Sequence, residues 1–379
     1  MRPRPGPALA CLAVSICGCS PTSSDAPSGE QSVIKLEPVA SSPAPLSYND
    51  DIALVTEDLA CVINSFEFQV HCGDRSGAIV GVFGSKGDGP GEFRTPTDVE
   101  RGPDEAVAVF DIRLNRLTFF APDGALLSAT AMPGALFPEV LVGTRVFGAD
   151  HMSNIDFSKA GQLTPEEMYS PLYLEVDAGS GEVLWERSDM HRVPDLECGP
   201  LGSGMPDPRG GYVFRACQEL LVFFEHRDDT TATVVPSPTY VEELPNQRDV
   251  DEYLEGLARL AGTMAQAAGG ASVARSAMEP YAAGYREDPK TWFLRGLPFD
   301  FDSEGRLWVG TTRDRDLQSY LDVWVGTEYA ASVRIRDRLI GYDLFGSTLA
   351  ALVERPPGPD GIAERAIDWY DISGVRIGS

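Results

Sequence analysis

Pro96-Thr97-Asp98-Val99-Glu100, a turn at Gly102-Pro103-Asp104, Ala106-Val107-Ala108-Val109-Phe110-Asp111, Asn115-Arg116-Leu117-Thr118-Phe119-Phe120 and a second turn at Pro122-Asp123-Gly124 read as three short strands in succession. Apolar and β-branched residues fill the strands, and Gly, Pro and Asp punctuate them. Leu126 to Ala129 supplies a fourth. The same order returns two hundred residues later. Pro298 to Asp302 leads through Ser303-Glu304-Gly305 into Arg306-Leu307-Trp308-Val309-Gly310, then Leu321 to Val325, a turn at Gly326, and Ser332 to Ile335. Two copies of strand–turn–strand–loop–strand–turn–strand predict four-stranded units that repeat.

Fainter copies extend the pattern. Tyr173 to Asp177, the turn Gly179-Ser180-Gly181 and Val183 to Trp185 form one pair. Gly210 to Phe214 with Leu220 to Phe224, and Thr348 to Val353 with Ala366 to Tyr370, form two more. Units of forty to fifty residues are the size of β-propeller blades. The predicted fold is therefore all-β, a propeller of about six blades occupying residues 49–379. Between Arg248 and Tyr285 the pattern changes. Val250, Tyr253, Leu254, Leu257, Leu260 and Met264 recur at helical spacing behind acidic Asp249, Asp251 and Glu252, which predicts a helical insertion over 248–285, placed over one mouth or the rim.

The loop Gly84-Ser85-Lys86-Gly87-Asp88-Gly89-Pro90-Gly91-Glu92-Phe93, followed by Pro96, Ala108-Val109-Phe110-Asp111 and Asn115-Arg116-Leu117, resembles the NHL-repeat pattern over about forty residues. Asp302 to Gly310 is similar to blades of six-bladed propeller lipoproteins. That resemblance implies six blades. It also implies two functional possibilities, a binding or scaffolding module or a metal-dependent lactonase- or lyase-like enzyme. For the enzyme, the candidate ligands would be Glu92, Asp111, Asp150, His151, Asp300 and Asp302. Asp111 and Asp302 also stand where a carboxylate caps a turn by accepting backbone N–H groups. His71, His151, His191 and His226 are not spaced as metal ligands.

The chain begins Met1-Arg2-Pro3-Arg4 and continues with an apolar run from Ala8 to Cys17. A basic start and an apolar stretch of about ten residues predict a secretory signal peptide. Ile16-Cys17-Gly18-Cys19 resembles a bacterial lipobox, which makes Cys19 the expected lipidation site and residues 1–19 the signal. Residues 20–48, rich in Ser, Pro and Ala, are expected to form a flexible tether. An exported protein held at the cell envelope by its lipid follows as the expected location, with no other membrane contact. Cys61, Cys72, Cys198 and Cys217 remain, an even number suited to an oxidising compartment. Three pairings are open; Cys61–Cys72 and Cys198–Cys217 are favoured because each pair flanks an apparent hairpin.

With 57 acidic against 31 basic residues and a net charge of −26, the chain repels phosphate backbones, so no nucleic-acid partner is expected. The glycine loop at 84–91 lacks the Gly-Lys-Ser/Thr ending of a phosphate cradle, and a strand follows it. Its glycines instead suit a tight connection between blades. Gly202-Ser203-Gly204 is not a nucleophile elbow. Trp185, Trp292, Trp308, Trp324 and Trp369 are expected to pack between blades. The favoured expectation is a binding module without metal or cofactor, holding an unknown protein or small molecule at the propeller mouth. Carboxylates converging on the axis would instead favour the hydrolase.

Overall fold

The computed structural model describes residues 33–45, 47, 50–150, 171–190, 193, 196, 201–267, 274–294, 298–314, 318–359 and 363–377. Two short strands come first, β1 (Val33–Lys35) and β2 (Ala40–Pro43). Four four-stranded antiparallel blades follow in chain order. Blade I holds β3 (Ile52–Thr56), β4 (Leu59–Asn64), β5 (Gln69–Asp74) and β6 (Ile79–Phe83). Blade II holds β7 (Pro96–Arg101), β8 (Val107–Asp111), β9 (Arg116–Phe120) and β10 (Leu126–Ala131). Blade III holds β11 (Leu136–Val142), β12 (Arg145–Asp150), β13 (Leu172–Asp177) and β14 (Val183–Arg187). Blade IV holds β15 (Gly204–Pro206), β16 (Tyr212–Ala216), β17 (Leu220–Phe224) and β18 (Thr233–Pro236).

Blade V follows the helical insertion with β19 (Phe299–Phe301), β20 (Leu307–Thr311), β21 (Gln318–Val325) and β22 (Glu328–Arg336). Blade VI has only three late strands, β23 (Arg338–Phe345), β24 (Thr348–Glu354) and β25 (Arg365–Asp371), and β2 supplies its fourth. Six blades are thus present, as the repeat predicts. Both strongly patterned units fall on real blades, the first on blade II and the second on blade V.

The tether expected over 20–48 ends earlier than its composition predicts. β2 pairs antiparallel with β25, Ala40 opposite Trp369 and Pro43 opposite Ala366. The Ser41 hydroxyl donates to the buried Asp368 carboxylate at 2.5 Å. β1 pairs parallel with β22, Val33 opposite Ser332, adding a fifth strand to blade V. Ile34 and Leu36 then pack against the core shared by blades V and VI. Polar residues suffice here because an outermost strand needs only its backbone hydrogen bonds and one apolar side. The early segment therefore closes the ring, and the propeller domain begins nearer Val33 than residue 49.

Apolar side chains fill the spaces between blades, with Trp292, Trp308, Trp324 and Trp369 among the largest fully buried. Cys61 and Cys72 face each other across β4 and β5 and form a disulfide. Cys217 is also disulfide-bonded; Cys198, its expected partner, lies outside the described residues. The glycine loop connects blades I and II, and Gly84 and Gly91 adopt φ of 93° and 76°, left-handed values that a β-carbon disfavours.

The insertion comprises α1 (Gln247–Ala267), a 3₁₀ turn (Arg275–Tyr281) and α2 (Ala282–Glu287). Val250 and Leu254, one turn apart, bury against Ala282, with Met278 and Tyr285 alongside. Arg248 pairs with Glu354 at the end of β24, and Glu252 pairs with Arg338 at the start of β23. These pairs hold α1 on the face of blade VI where the inner strand begins.

Candidate functional site

The first strand of each blade, β3, β7, β11, β15, β19 or β23, lies nearest the axis. Neighbouring first strands touch around most of the ring, β23 with β3, β3 with β7, β7 with β11, β11 with β15, and β19 with β23. Successive side chains of a strand point to opposite sides. Buried Val99 and Phe299 therefore alternate with axial Asp98, Glu100 and Asp300. The result is a channel bounded by carboxyl groups from five blades: Asp51, Asp98 and Glu100, Glu139, Asp300 and Asp343.

The channel has a narrow and a wide part. A space of about 80 Å³ lies among Asp51, Ile52, Glu139, Phe299 and Tyr342, near the beginnings of several inner strands. A cavity of about 420 Å³ lies where the inner strands end, among Glu100, Arg101, Val142, Pro206 and Phe301. Glu100, Val140, Met205, Asp300 and Asp343 border both. The described part of the helical insertion is fixed at the other end of the inner strands, and none of its described residues lines the wide cavity.

Each axial carboxyl keeps a little exposed surface toward the channel but is surrounded by protein. Burial is the largest cause of a raised pKa at every one of them, because a low-dielectric setting disfavours charge. Asp98 rises to about 6 and Glu139 to about 7. Asp51 rises well above its ordinary value through burial and then the charges of Asp98 and Glu100. Glu100 does so through burial, Asp343 and Asp98, with Arg101 opposing.

Two carboxyl pairs share hydrogen bonds, Asp51 with Asp98 and Asp300 with Asp343. The Leu54 N–H donates to Asp343 at 2.5 Å and the Leu344 N–H to Asp300 at 2.6 Å. Arg101 offsets part of this charge. Its guanidinium donates to the Leu54 carbonyl at 2.9 Å and lies 4.3 Å over the Phe345 ring. Ser203 and Arg215 stand beside Glu139, and both favour its ionised form.

From the axis the wide cavity extends between blades III and IV. Phe147 and Tyr212 wall it, with ring centroids 5.0 Å apart. At its outer end Glu175 accepts the Tyr212 hydroxyl at 2.7 Å and lies 3.6 Å from Arg145 and 3.4 Å from Arg227. Trp185 stacks on Tyr212 at 5.3 Å, and the Arg227 guanidinium lies 5.6 Å from its ring centre.

Of the six residues considered as metal ligands, Asp300 alone reaches the axis among those described. Glu92 accepts the Gly89 N–H at 2.8 Å inside the glycine loop. Asp111 is fully buried and accepts the backbone N–H groups of Arg94, Thr95, Arg113 and Leu114. Asp150 accepts from Ala135 at the equivalent place one blade on. Asp302 caps its own turn. His151 and His191 lie outside the described residues. His71 is half-buried, and desolvation lowers its pKa. Among the described residues no group of three or more His, Cys, Asp or Glu is arranged to hold a metal ion.

Asp51, Asp98, Glu100, Glu139 and Asp343 are axial residues that the sequence reading did not single out. The signal at two of them was present, since Asp98 and Glu100 occupy alternate positions in the first strand of a blade.

No family model matches the chain, and no curated protein matches it. Among solved structures it is similar to the crystal structure of the WD40 β-propeller domain of Doa1. The identity is 8%, the match covers 91% of this chain and 99% of that chain, and the TM-score is 0.46. The six sheets described above define this chain as a six-bladed β-propeller.

Proposed function

We propose that this protein is an exported, lipid-anchored binding module of NHL-like kind whose axial cavity holds the cationic group of a small ligand. The convergence of Glu100, Asp300 and Asp343 on a 420 Å³ cavity walled in part by Val140, Phe147, Met205 and Tyr212 carries the reading. A buried ammonium or guanidinium group needs carboxylates to replace its water, and clustered buried carboxyls need either protons or a positive charge to offset them. The volume falls within the roughly 300–1,000 Å³ of small-molecule sites. Carboxylates converging on the axis are also what the metal-hydrolase reading calls for; the binding reading is preferred because Asp51 with Asp98 and Asp300 with Asp343 hydrogen-bond to each other rather than forming, among the described residues, a group arranged to hold a metal ion.

A direct test compares n-butylammonium with n-butanol, its neutral counterpart, by ligand-detected NMR. The ammonium compound is expected to bind and the alcohol to bind at least tenfold more weakly. Asp300→Asn should weaken the ammonium compound about tenfold. Equal binding of the two compounds, or binding unaffected by Asp300→Asn, would remove the reading.

The anchor is supported by the lipobox-like Ile16-Cys17-Gly18-Cys19. Cys19→Ala is expected to move the protein from the membrane fraction to the soluble fraction of the producing cell. Retention of the variant in membranes that release it only to detergent would contradict lipidation at Cys19.

A further inference from the structure

The axial carboxyls fall into two levels. Asp51 and Glu139 line the narrow space and not the wide cavity, whereas Glu100, Asp300 and Asp343 line both. Asp98 hydrogen-bonds to Asp51 and so belongs to the first level. Asp98 and Glu100 are two residues apart in β7, which pairs regularly with β8 from Asp98 to Arg101. Their side chains therefore leave the same side of the strand, about 6.6 Å apart at roughly 3.3 Å per residue. The two spaces share Glu100, Val140, Met205, Asp300 and Asp343 as a common border, so the wide cavity leads into the narrow space.

Each level has a place for one positive charge. A hydrogen bond between two carboxyls needs a proton on one of them, so the Asp51–Asp98 and Asp300–Asp343 pairs each hold one. Beside the first pair stands Glu139 with Arg215, and beside the second Glu100 with Arg101. The charges acting most strongly on Asp51 are Asp98, Glu100 and Asp50, all acidic. With each pair singly protonated and each third carboxyl ionised, the guanidinium at each level leaves one negative charge without a cation. In the free protein a further proton neutralises it, and a ligand's cationic group takes that proton's place. A divalent metal ion suits this arrangement poorly. It draws its oxygens to one point, and among the described residues no three or more carboxyls are arranged to hold one.

Building on the axial-cation reading, we infer that the ligand is a linear diamine, with one ammonium group at Glu100, Asp300 and Asp343 and the other at Asp51 and Glu139 in the narrow space. A water needs about 10–15 Å³ of such space, so the narrow part, about 80 Å³, takes an ammonium group and the methylenes next to it. Ile52, Val140, Phe299 and Ile340 also line it and lie against those methylenes. An extended chain with bonds of about 1.5 Å advances roughly 1.25 Å per bond, so the five bonds between the nitrogens of 1,4-diaminobutane span about 6.3 Å. That matches the step between the two levels.

Calorimetric titration of the purified protein at pH 6.5, in two buffers of different ionisation enthalpy, compares 1,4-diaminobutane with n-butylammonium. The diamine should bind at least about tenfold more tightly and release more protons, because it displaces one at each level. Asp51→Asn should weaken the diamine more than the monoamine and remove most of that advantage. Asp300→Asn should weaken both and leave the diamine ahead. Circular dichroism confirms that the variants are folded, and Glu139→Gln takes the place of Asp51→Asn if the latter does not fold. If the two compounds bind equally, or the diamine keeps its full advantage in the narrow-level variant, the diamine assignment is overturned and the axial-cation reading stands. If neither compound binds, or Asp300→Asn leaves both unaffected, both readings are overturned.

Discussion

Replacing Asp302 with alanine is expected to destabilise the propeller by about 3–5 kcal/mol, the range for breaking a buried charge pair. The Asp302 side chain is 1% exposed and stands 2.5 Å from the Arg306 guanidinium. It also accepts the Glu304 and Arg306 backbone N–H groups at 3.0 Å and the Trp308 indole N–H at 2.8 Å. Removing it leaves the indole N–H of a fully buried tryptophan without its acceptor, and a mostly buried guanidinium without its carboxylate. Asp123→Ala provides the comparison. Asp123 stands in an exposed turn between the third and fourth strands of blade II, where its carboxylate accepts the Ala125 N–H at 3.0 Å, so the loss should stay at about 1 kcal/mol. Thermal unfolding followed by circular dichroism measures both. A fall in midpoint of less than about 2 °C for Asp302→Ala would contradict this account of the blade turn.

The second large effect is on pH. The axial carboxyls have raised pKa values in the folded state, so between pH 4 and 7 the folded protein binds more protons than the unfolded chain. Their contribution to stability is present below the unfolded values near 4 and is lost as pH rises through about 6 for Asp98 and about 7 for Glu139. Exposed turn carboxylates work oppositely. Hydrogen bonds hold Asp74, Asp177 and Asp371 below their ordinary values, so their contribution disappears under acidic conditions. Without ligand, the unfolding midpoint should therefore peak near pH 5 and fall by pH 8.

One pKa unit corresponds to about 1.4 kcal/mol, so a few kcal/mol is the upper scale at Glu139. Glu139→Gln should raise the midpoint at pH 8 by several degrees and change it little at pH 5. A midpoint flat or rising between pH 5 and pH 8 would show that these groups remain charged at no cost.

Blades II and V were legible because apolar and β-branched residues fill their strands and Gly, with Pro-Asp or Ser-Glu before or beside it, marks their turns. The ring closure was not. Val33–Lys35 and Ala40–Pro43 lie in a stretch of Ser, Pro and Ala, and strand pairing there depends on partners some three hundred residues away. β11 is another example, since Leu136 to Val142 contains Pro138 and Glu139 and bulges against β12. At the site, Asp111 and Asp302 behaved as turn caps, as their local sequence indicates. The axial set was hidden for a different reason. Asp51, Glu139 and Asp343 are far apart in sequence, and only ring closure brings them to one channel. Asp98, Glu100 and Asp300 carried a readable signal, a carboxylate alternating with an apolar residue in the first strand of a unit.

The central claim is that the axial carboxyls receive a cationic group, and proton linkage tests it most directly. A bound ammonium group favours ionised carboxylates, so binding at pH 6.5 must expel protons from groups whose pKa is raised. Calorimetric titration of n-butylammonium in two buffers of different ionisation enthalpy reads that number. The account predicts net proton release in the wild-type protein and a smaller release with weaker binding in Asp300→Asn. Binding with no proton release, or a release identical in the two proteins, would contradict it.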